Sequence, residues 1–353
     1  KTSSSCCGSA SSKPQPKSSC CGSSSNDESK EDSTKSVINK RYSNTAKNFE
    51  LQSKEEQEKL RAVAKVFGYS PSELEEIGND ANLGLGCGNP VKQANLKKGE
   101  TVLDLGAGAG MDLFLARKYI GTSSDGGQLL GIDFSKDMVE RAKKNASKKA
   151  KRGQDVSNVQ FHHAEIEKMT PIKDNSVDCA ISNCVLNLVP NKYNAFKEVH
   201  RVIKPGGRIV FSDIALKKAL PTYLKTDLTS IVNCVGGACL ATEYEQALLK
   251  AGFKSVKMID KNVDLNVWKD SWESMVNPDN KKDENAMGCC GVSQDKACCG
   301  PSVEKEKEKE ESSCCGAPSD TKDTKDAASR LYTEFKDMNL NDYVASYYVF
   351  GVK

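Results

Sequence analysis

Short apolar runs alternate with longer amphipathic runs between about residues 100 and 263. The apolar runs are rich in β-branched and aliphatic residues, which is typical of strands, whereas the amphipathic runs have helical spacing. Strands are predicted at TVLDLG, QLLGID, VQFHHAE, VDCAISN, RIVFSDI and SVKMID. Helices are predicted from about Met111, from about Ser135, around Tyr193 to Val202 and near Thr242 to Ala251. This order predicts an α/β fold with a mostly parallel, Rossmann-like sheet.

The chain ends in YVASYYVFGVK, an aromatic and β-branched run that predicts one more strand, after a helical stretch around Ala328 to Asp337. We expect this strand to return to the sheet. A separate C-terminal hairpin is the alternative, but an isolated pair of strands is only marginally stable. The preceding tract, residues 277–326, is therefore predicted to be an insertion rather than a second domain.

Two tracts are too polar to offset the entropy lost on ordering, and we expect both to be disordered. They share the triplet CCG, which begins at Cys6, Cys20, Cys289, Cys298 and Cys314. The predicted organisation is a Ser- and Lys-rich tail at residues 1–40, a core at 41–276, the cysteine-rich insertion at 277–326, and a final helix and strand at 327–353.

The composition limits which classes of partner the chain is expected to bind. The 51 basic and 48 acidic residues nearly cancel, so no global field would attract nucleic acid or an anionic membrane surface. No apolar run approaches the roughly 18 residues that a membrane-spanning helix needs. Most of the fifteen cysteines stand in adjacent pairs, which bridge each other poorly, so reduced thiols are favoured. We expect a cytoplasmic monomer that acts on small molecules, without nucleic acid or membrane partners.

A glycine-rich turn follows the first predicted strand. It reads Gly106-Ala107-Gly108-Ala109-Gly110, is preceded by Asp104 and leads into a helix, so a ligand can approach its backbone closely. Dinucleotide-binding folds use the spacing G-x-G-x-x-G, and the third glycine here comes one residue early, which disfavours a nicotinamide cofactor. A purely structural tight turn remains the alternative.

The next two strand ends carry groups that suit a nucleoside. Asp133 ends the second strand, and its carboxylate can accept hydrogen bonds from both hydroxyls of a ribose, while Phe134 can flank an adenine. The third strand leads to Ala164 and Glu165, where a carboxylate or backbone carbonyl can accept from the adenine amino group. Three consecutive strand ends therefore predict a nucleoside pocket.

The segments VLDLGAGAG, GIDFSKDMVERAKKNA and RVIKPGGRIVFSD, within residues 101–213, together resemble the class I S-adenosylmethionine methyltransferases. The resemblance implies their Rossmann-like sheet with an antiparallel final strand, and S-adenosylmethionine as the cofactor. It also implies that Asn183, at the end of the fourth strand, faces the transferable methyl. The implied cofactor-binding residues are Asp104, Gly106, Ala107, Gly108, Asp133, Phe134, Met138, Ala164, Glu165, Ile166 and Asn183.

Five cysteines lie outside the CCG triplets. Cys179 is inside a predicted strand and Cys239 is in a helical stretch, so we expect both to be structural. Cys184 follows the fourth strand at its carboxyl end, where open α/β sheets bind ligands. Cys234 and Cys87 lie beside glycines, in NCVGGAC and GLGCGNP. Each of these three, taken singly, is more often structural than functional.

SNCVLNL, NCVGGA and LGCGNP resemble the arsenite methyltransferase family, over roughly residues 41–263. The resemblance implies methyl transfer to thiol-bound trivalent arsenic, as arsenic detoxification. It places arsenic on Cys184 and Cys234, with Cys87 as a third ligand or a source of electrons. Soft thiolates suit a soft metalloid whose lone pair attacks the methyl group, so no general base is required. The three histidines, His162, His163 and His200, offer no obvious one.

One family cysteine is missing, because no cysteine lies between Cys21 and Cys87 to pair with the Cys87 position. We hypothesise that an external thiol reductant such as glutathione or thioredoxin, or a CCG thiol, restores trivalent arsenic. The triplets could instead deliver arsenic, buffer zinc or copper, or be incidental. Two other functions stay open: a methyltransferase for a small organic acceptor such as a quinone or sterol, and a thiol-rich sequestration protein.

Overall fold

The structure is a computed structural model, and it describes residues 28–48, 53–219, 237–266, 333 and 335–353, with side chains from residue 34 onward. Helices of these residues flank a central sheet. In chain order they are α1 (Glu28–Asn48), α2 (Lys54–Val66), α3 (Pro71–Ile77), α4 (Pro90–Gln93), α5 (Met111–Ile120), α6 (Lys136–Lys151), α7 (Lys192–Val202) and α8 (Ala241–Lys250).

The sheet contains seven strands in the order β3-β2-β1-β4-β5-β7-β6. Their bounds are β1 (Thr101–Leu105), β2 (Gln128–Asp133), β3 (Val159–His163), β4 (Val177–Asn183), β5 (Ile203–Leu216), β6 (Lys254–Asp260) and β7 (Val344–Val352). Strands β1 to β5 pair in parallel, whereas β7 runs antiparallel between β5 and β6. The predicted Rossmann-like sheet with its antiparallel final strand is confirmed.

The strand β7 pairs with the C-terminal nine residues of β5, from the pair Arg208 and Val352 to the pair Leu216 and Val344. The final run of the chain therefore returns to the sheet, as predicted, and no separate hairpin forms from it. The insertion predicted at residues 277–326 lies outside the described residues, as does most of the helix predicted around residues 328–337.

The helix α1 differs from the sequence prediction. The polarity of residues 28–40 predicts that they belong to the tail, yet they form the first part of α1. The physical reason is a short apolar stripe at four-residue spacing, Ile38, Tyr42 and Ala46, of which Ile38 and Ala46 are buried. The helix therefore begins before the boundary predicted at residue 40, while residues 1–27 lie outside the described part of the chain.

Alternating side chains of the strands build a core on each face of the sheet. Leu103 of β1 packs in one core with Phe196 of α7, whereas its neighbour Val102 packs in the other with Phe114 of α5. Side-chain caps fix where helices begin, and at α6 the Ser135 hydroxyl accepts from the Met138 amide. The cores and caps hold the carboxyl ends of β1, β2 and β4 at one edge of the sheet.

The chain divides into two compact units. The first comprises residues 1–264 and 341–353 and contains the whole sheet, while the second comprises residues 265–340. Within the second unit, Asn266 donates to Asn339 through its side chain and accepts from the Leu340 amide. Among the helices of the described residues, none has the length and apolarity to cross a membrane.

Candidate active site

A cleft with about 1100 Å³ of empty space, open to solvent, lies at the carboxyl ends of β1, β2 and β4. Ten of the eleven predicted cofactor residues line it: Asp104, Gly106, Ala107, Gly108, Asp133, Phe134, Met138, Glu165, Ile166 and Asn183. Ala164 is not part of the lining, and its amide donates to the Asp133 carbonyl at 3.0 Å. The sequence therefore located this cleft from its strand ends.

The glycine turn forms one wall of the cleft. The amides of Gly106 and Ala107 both donate to the Ile132 carbonyl at 2.8 Å, which ties β1 to β2. Gly106 has φ of 73°, and a Cβ on it would lie 2.6 Å from the γ-carbons of Val185. A Cβ on Gly108 would meet no atom within 4 Å. Glycine is thus required for packing at Gly106, whereas at Gly108 it leaves cleft space open.

The Asp133 carboxylate is held in place by backbone amides. Its Oδ2 accepts from the Gly108 amide at 2.9 Å, and its Oδ1 accepts from the Ser135 amide at 2.8 Å. Burial raises the Asp133 pKa to about 6, although these two hydrogen bonds act to lower it. Each oxygen keeps a further lone pair, so the ionised carboxylate can still accept from two hydroxyl groups.

A buried polar network joins this cleft to the Cys87 loop through Asn183. The Asn183 side chain accepts from the Cys87 amide at 3.0 Å and donates to the Asp112 carboxylate at 3.0 Å. The Tyr69 hydroxyl donates to the same carboxylate at 2.5 Å. Burial raises the Asp112 pKa to about 6, against the effect of its two hydrogen-bond donors. Sequence reasoning found Asn183 but missed Tyr69 and Asp112.

Two of the three predicted thiols meet beside the cleft. The Sγ atoms of Cys87 and Cys184 and a carboxylate oxygen of Asp213 all lie within 4.8 Å of one another, and all three residues are buried. Cys184 lines the cleft, and it has φ of 61°, an uncommon value for a residue with a side chain. Its amide donates to the Ser212 carbonyl at 2.8 Å, which helps to hold this conformation. Cys234 lies outside the described residues.

Lys261, directly after β6, supports the Cys87 loop. Its ammonium donates to the Cys87 carbonyl and, at 2.6 Å, to the Ser212 hydroxyl, which itself lies 3.4 Å from the Cys87 sulfur. Burial raises the Cys87 pKa, but the Cys184 contact, the Lys261 charge and Ser212 outweigh burial, so the pKa is lowered. Sequence reasoning missed both residues: Lys261 directly follows β6, which was an available signal, whereas Ser212 lies within β5.

Asp213 fixes the segment that follows Cys184. Its Oδ2 accepts from the Asn187 amide at 3.0 Å and from the Tyr244 hydroxyl at 3.1 Å, while its Oδ1 accepts from the Ile214 amide. Burial raises the Asp213 pKa to about 6 despite these donors. The residue therefore connects β5, α8 and the 3-10 helix at residues 186–188 below the thiol pair.

The two cysteines expected to be structural lie in the core. Cys179 is fully buried in β4, and burial raises its pKa to about 12, which keeps the thiol protonated. Cys239 is also buried, in the core cluster that contains Tyr244. Neither residue lines the cleft.

The residues of the cleft fit S-adenosylmethionine. Asp133 offers a carboxylate to ribose hydroxyls, and Phe134, Met138 and Ile166 supply apolar surface for an adenine ring. The open space at Gly108 lets a ligand approach the turn, and the cleft continues to Cys184. A nucleoside and a longer polar substituent can therefore be accommodated together.

The strand order and the cleft at the strand ends define a class I methyltransferase fold. A family model described as "Methyltransferase domain" matches residues 96–278, just over half of the chain. The chain belongs to this methyltransferase family. The solved structure of Haemonchus contortus phosphoethanolamine N-methyltransferase 2 with S-adenosyl-L-methionine has a TM-score of 0.52 at 15% identity, covering 82% of this chain and 57% of that one, and supports the fold alone.

Two curated relatives are named arsenite methyltransferases. The Halobacterium salinarum protein is 39% identical over 196 residues, covering 56% of this chain and 48% of the relative. The Homo sapiens protein is 34% identical over 192 residues, covering 54% of this chain and 47% of the relative. The resemblance inferred from the cysteine motifs is thus confirmed, although the chain spans about half the length of these relatives.

Proposed function

We propose that this protein transfers methyl groups from S-adenosylmethionine to thiol-bound trivalent arsenic and so produces methylated arsenicals. The observation that carries the proposal is the meeting of Cys87 and Cys184 beside a nucleoside-type cleft, with sulfur atoms within 4.8 Å. The similarity to arsenite methyltransferases of two distant organisms supports the same acceptor.

Arsenite capture is an exchange of oxygen for sulfur. Each cysteine thiol displaces one hydroxyl group of arsenous acid and releases one water molecule, with no change in oxidation state. The lowered pKa of Cys87 favours its thiolate, the form that binds a soft centre. Cys184 is the second ligand, and Cys234 is proposed as the third.

The chain's part in methyl transfer is to position arsenic rather than to move protons. S-adenosylmethionine, when bound, supplies an electrophilic methyl group on a sulfonium. Arsenic held by sulfur retains a lone pair, so no base has to remove a proton from the acceptor. Consistent with this, none of the three histidines, all within the described residues, lines the cleft. Asn183, which contacts both the Cys87 loop and Asp112, holds the acceptor site against the cofactor site.

A thiol reductant completes the cycle. Methyl transfer uses the arsenic lone pair, so restoring trivalent arsenic needs two electrons, which two thiols supply by forming one disulfide. We propose glutathione or thioredoxin as the source, with the CCG cysteines as auxiliary thiols. Deleting residues 1–27 and 277–326 and measuring multiple turnovers with glutathione separates these roles, since an unchanged rate excludes an essential CCG thiol.

The setting that we propose is cytoplasmic, where thiols stay reduced, and the proposed form is a monomer. The substrates are small arsenite–thiol complexes. The near balance of 51 basic and 48 acidic residues gives no general attraction for nucleic acid or membrane surfaces.

Cysteine variants test the proposed acceptor. Cys184→Ser and Cys234→Ser should each reduce methylated arsenic, measured by speciation after incubation with arsenite, S-adenosylmethionine and glutathione, by at least about 100-fold. Cys179→Ala is the matched control, because Cys179 is buried in β4, the strand that leads to Cys184, but does not line the cleft. Equal loss in the control would point to a folding defect.

The same cysteine variants distinguish arsenic methylation from the two alternative functions. A relative named demethylmenaquinone methyltransferase, from Staphylococcus epidermidis, is 33% identical over 116 residues, a third of this chain. An organic-acceptor enzyme would keep its activity in Cys184→Ser. A sequestration protein would bind arsenic without consuming S-adenosylmethionine.

A further inference from the structure

The helix α1 forms part of the cleft wall. Lys35, Ile38 and Tyr42 all line the cleft, and their spacing of three and four residues places them on one face of the helix. Ile38 is only 2% exposed. One face of α1 therefore covers the cleft rather than facing solvent.

Lys35 connects this face to the far side of the cleft. Its ammonium lies 2.8 Å from the Glu165 carboxylate and 3.0 Å from the Glu167 carboxylate. Both glutamates follow β3 and line the cleft, at the place predicted to border adenine. Their like charges are two residues apart, so a lysine between them relieves repulsion as well as forming ion pairs. The contact spans 130 residues of sequence.

Other contacts attach the following turns of α1 to α6. The Ser43 hydroxyl lies 3.1 Å from the Ser135 hydroxyl, and Arg141 donates to the Ala46 carbonyl at 2.8 Å. Lys47 forms an ion pair with Asp137 at 3.1 Å on the exposed surface. These contacts fix one end of the α1 face, while Lys35 fixes the other end beside Glu165 and Glu167.

We propose that α1 is the cover of the nucleoside subsite, with Ile38 and Tyr42 as its inner surface, and that Lys35 is the positioning residue that holds this cover against the β3 edge. The inference rests on the proposed S-adenosylmethionine site. Burial acts to lower the Lys35 pKa, but the two carboxylates raise it by more than burial lowers it. The Lys35 side chain therefore stays charged at neutral pH. The ordering of α1 then depends on the ion pairs and on the bound nucleoside together.

The test measures S-adenosylhomocysteine binding to the full chain by calorimetry. Lys35→Ala should weaken binding at least about fivefold, while Lys35→Arg should stay within about twofold of wild type. Lys47→Ala is the matched control, because it removes an ion pair from the same helix away from the cleft. The reversal Lys35→Glu should weaken binding, and adding Glu167→Lys should restore most of it.

Hydrogen exchange provides a second readout that a merely structural role would not change. In wild type, amides around residues 35–42 should exchange more slowly when S-adenosylhomocysteine binds, and this protection should be largely lost in Lys35→Ala. Equal affinity and equal protection in wild type and Lys35→Ala would overturn the inference. If wild type itself does not bind S-adenosylhomocysteine, the proposed function fails instead, so the two failures are distinguishable.

Discussion

Burial and two backbone hydrogen bonds shift the pKa of Asp133 in opposite directions. Burial raises its pKa to about 6, so the carboxylate is ionised at neutral pH and becomes protonated as the pH falls through that value. A protonated carboxyl loses acceptor capacity, because one oxygen then carries a hydrogen. A ribose that needs both oxygens as acceptors is therefore bound best above pH 6.

Cofactor affinity should accordingly depend on pH in one direction. S-adenosylhomocysteine binding, measured by calorimetry from pH 5 to pH 8, should be constant above the Asp133 pKa of about 6 and weaken below it, by up to about tenfold per pH unit. Asp133→Asn cannot ionise, so it should bind weakly with a flatter profile. A wild-type affinity that is unchanged across this range would refute the role of Asp133.

Lys261 should control the ionisation of Cys87 in arsenite-free protein. Lys261→Met removes a positive charge, so the Cys87 pKa should rise, measured from the ultraviolet absorbance of the thiolate during pH titration. The Cys87 carbonyl keeps the Ser346 hydroxyl as a donor at 2.8 Å, so the fold should tolerate the change. Lys257→Met, an exposed change on β6, the strand that precedes Lys261, is the control and should leave the titration unaltered.

Individual residues show which parts of the site could be predicted from the sequence and which could not. Asp133 and Asn183 end predicted strands, and parallel strand ends share one edge of a sheet, so their proximity follows from topology. Lys261 reaches Cys87 across 174 residues, and no spacing rule connects them. Tyr69 similarly precedes α3, outside the alternating pattern, and its contact with Asp112 depends on how α3 packs against α5.

At the scale of elements, the turn between β1 and α5 offers a matched pair of glycines. Gly106→Ala combines left-handed strain with overlap on Val185 and should destabilise the fold by about 3 kcal/mol. Gly108→Ala meets open space and should cost about 1 kcal/mol, but its methyl group projects where the cofactor is proposed to bind. Thermal unfolding and S-adenosylhomocysteine calorimetry should separate the two effects.

A third glycine supplies the control for that pair. Gly153 also has positive φ and open surroundings, but it follows α6 and does not line the cleft. Gly153→Ala should therefore have a stability similar to that of Gly108→Ala with unchanged cofactor affinity. Equal affinities in the Gly108 and Gly153 variants would mean that the cofactor does not approach the turn.

The elements themselves were largely predictable, because hydrophobic periodicity and cap residues are local signals. The predicted start of a helix at Ser135 matches the cap of α6, and the predicted strand RIVFSDI lies within β5. The extension of β5 back to Ile203 follows from the pairing of Ile203 with Val177 of β4, which is not local. Helix α1 likewise makes non-local contacts, because its Lys35 forms ion pairs with Glu165 and Glu167.

At the scale of the whole molecule, β7 should be indispensable although it follows a long polar tract. It is the strand between β5 and β6, and β6 leads into Lys261. Truncating the chain after residue 340 should abolish cooperative unfolding in circular dichroism melts. Replacing residues 277–326 by a short Gly-Ser linker should instead shift the melting temperature by less than about 3 °C, which corresponds to about 1 kcal/mol. The opposite ranking would contradict the insertion prediction.

The central activity that we propose is methyl transfer to arsenic at the thiol pair beside the cleft. The most direct measurement is a single turnover, in which protein loaded with one equivalent of arsenite receives methyl-labelled S-adenosylmethionine and the arsenic species are separated by mass. We expect labelled methylarsenic in wild type and almost none in Cys184→Ser. Arsenic that stays unmethylated in folded wild type, while S-adenosylhomocysteine still binds, would contradict the proposed activity.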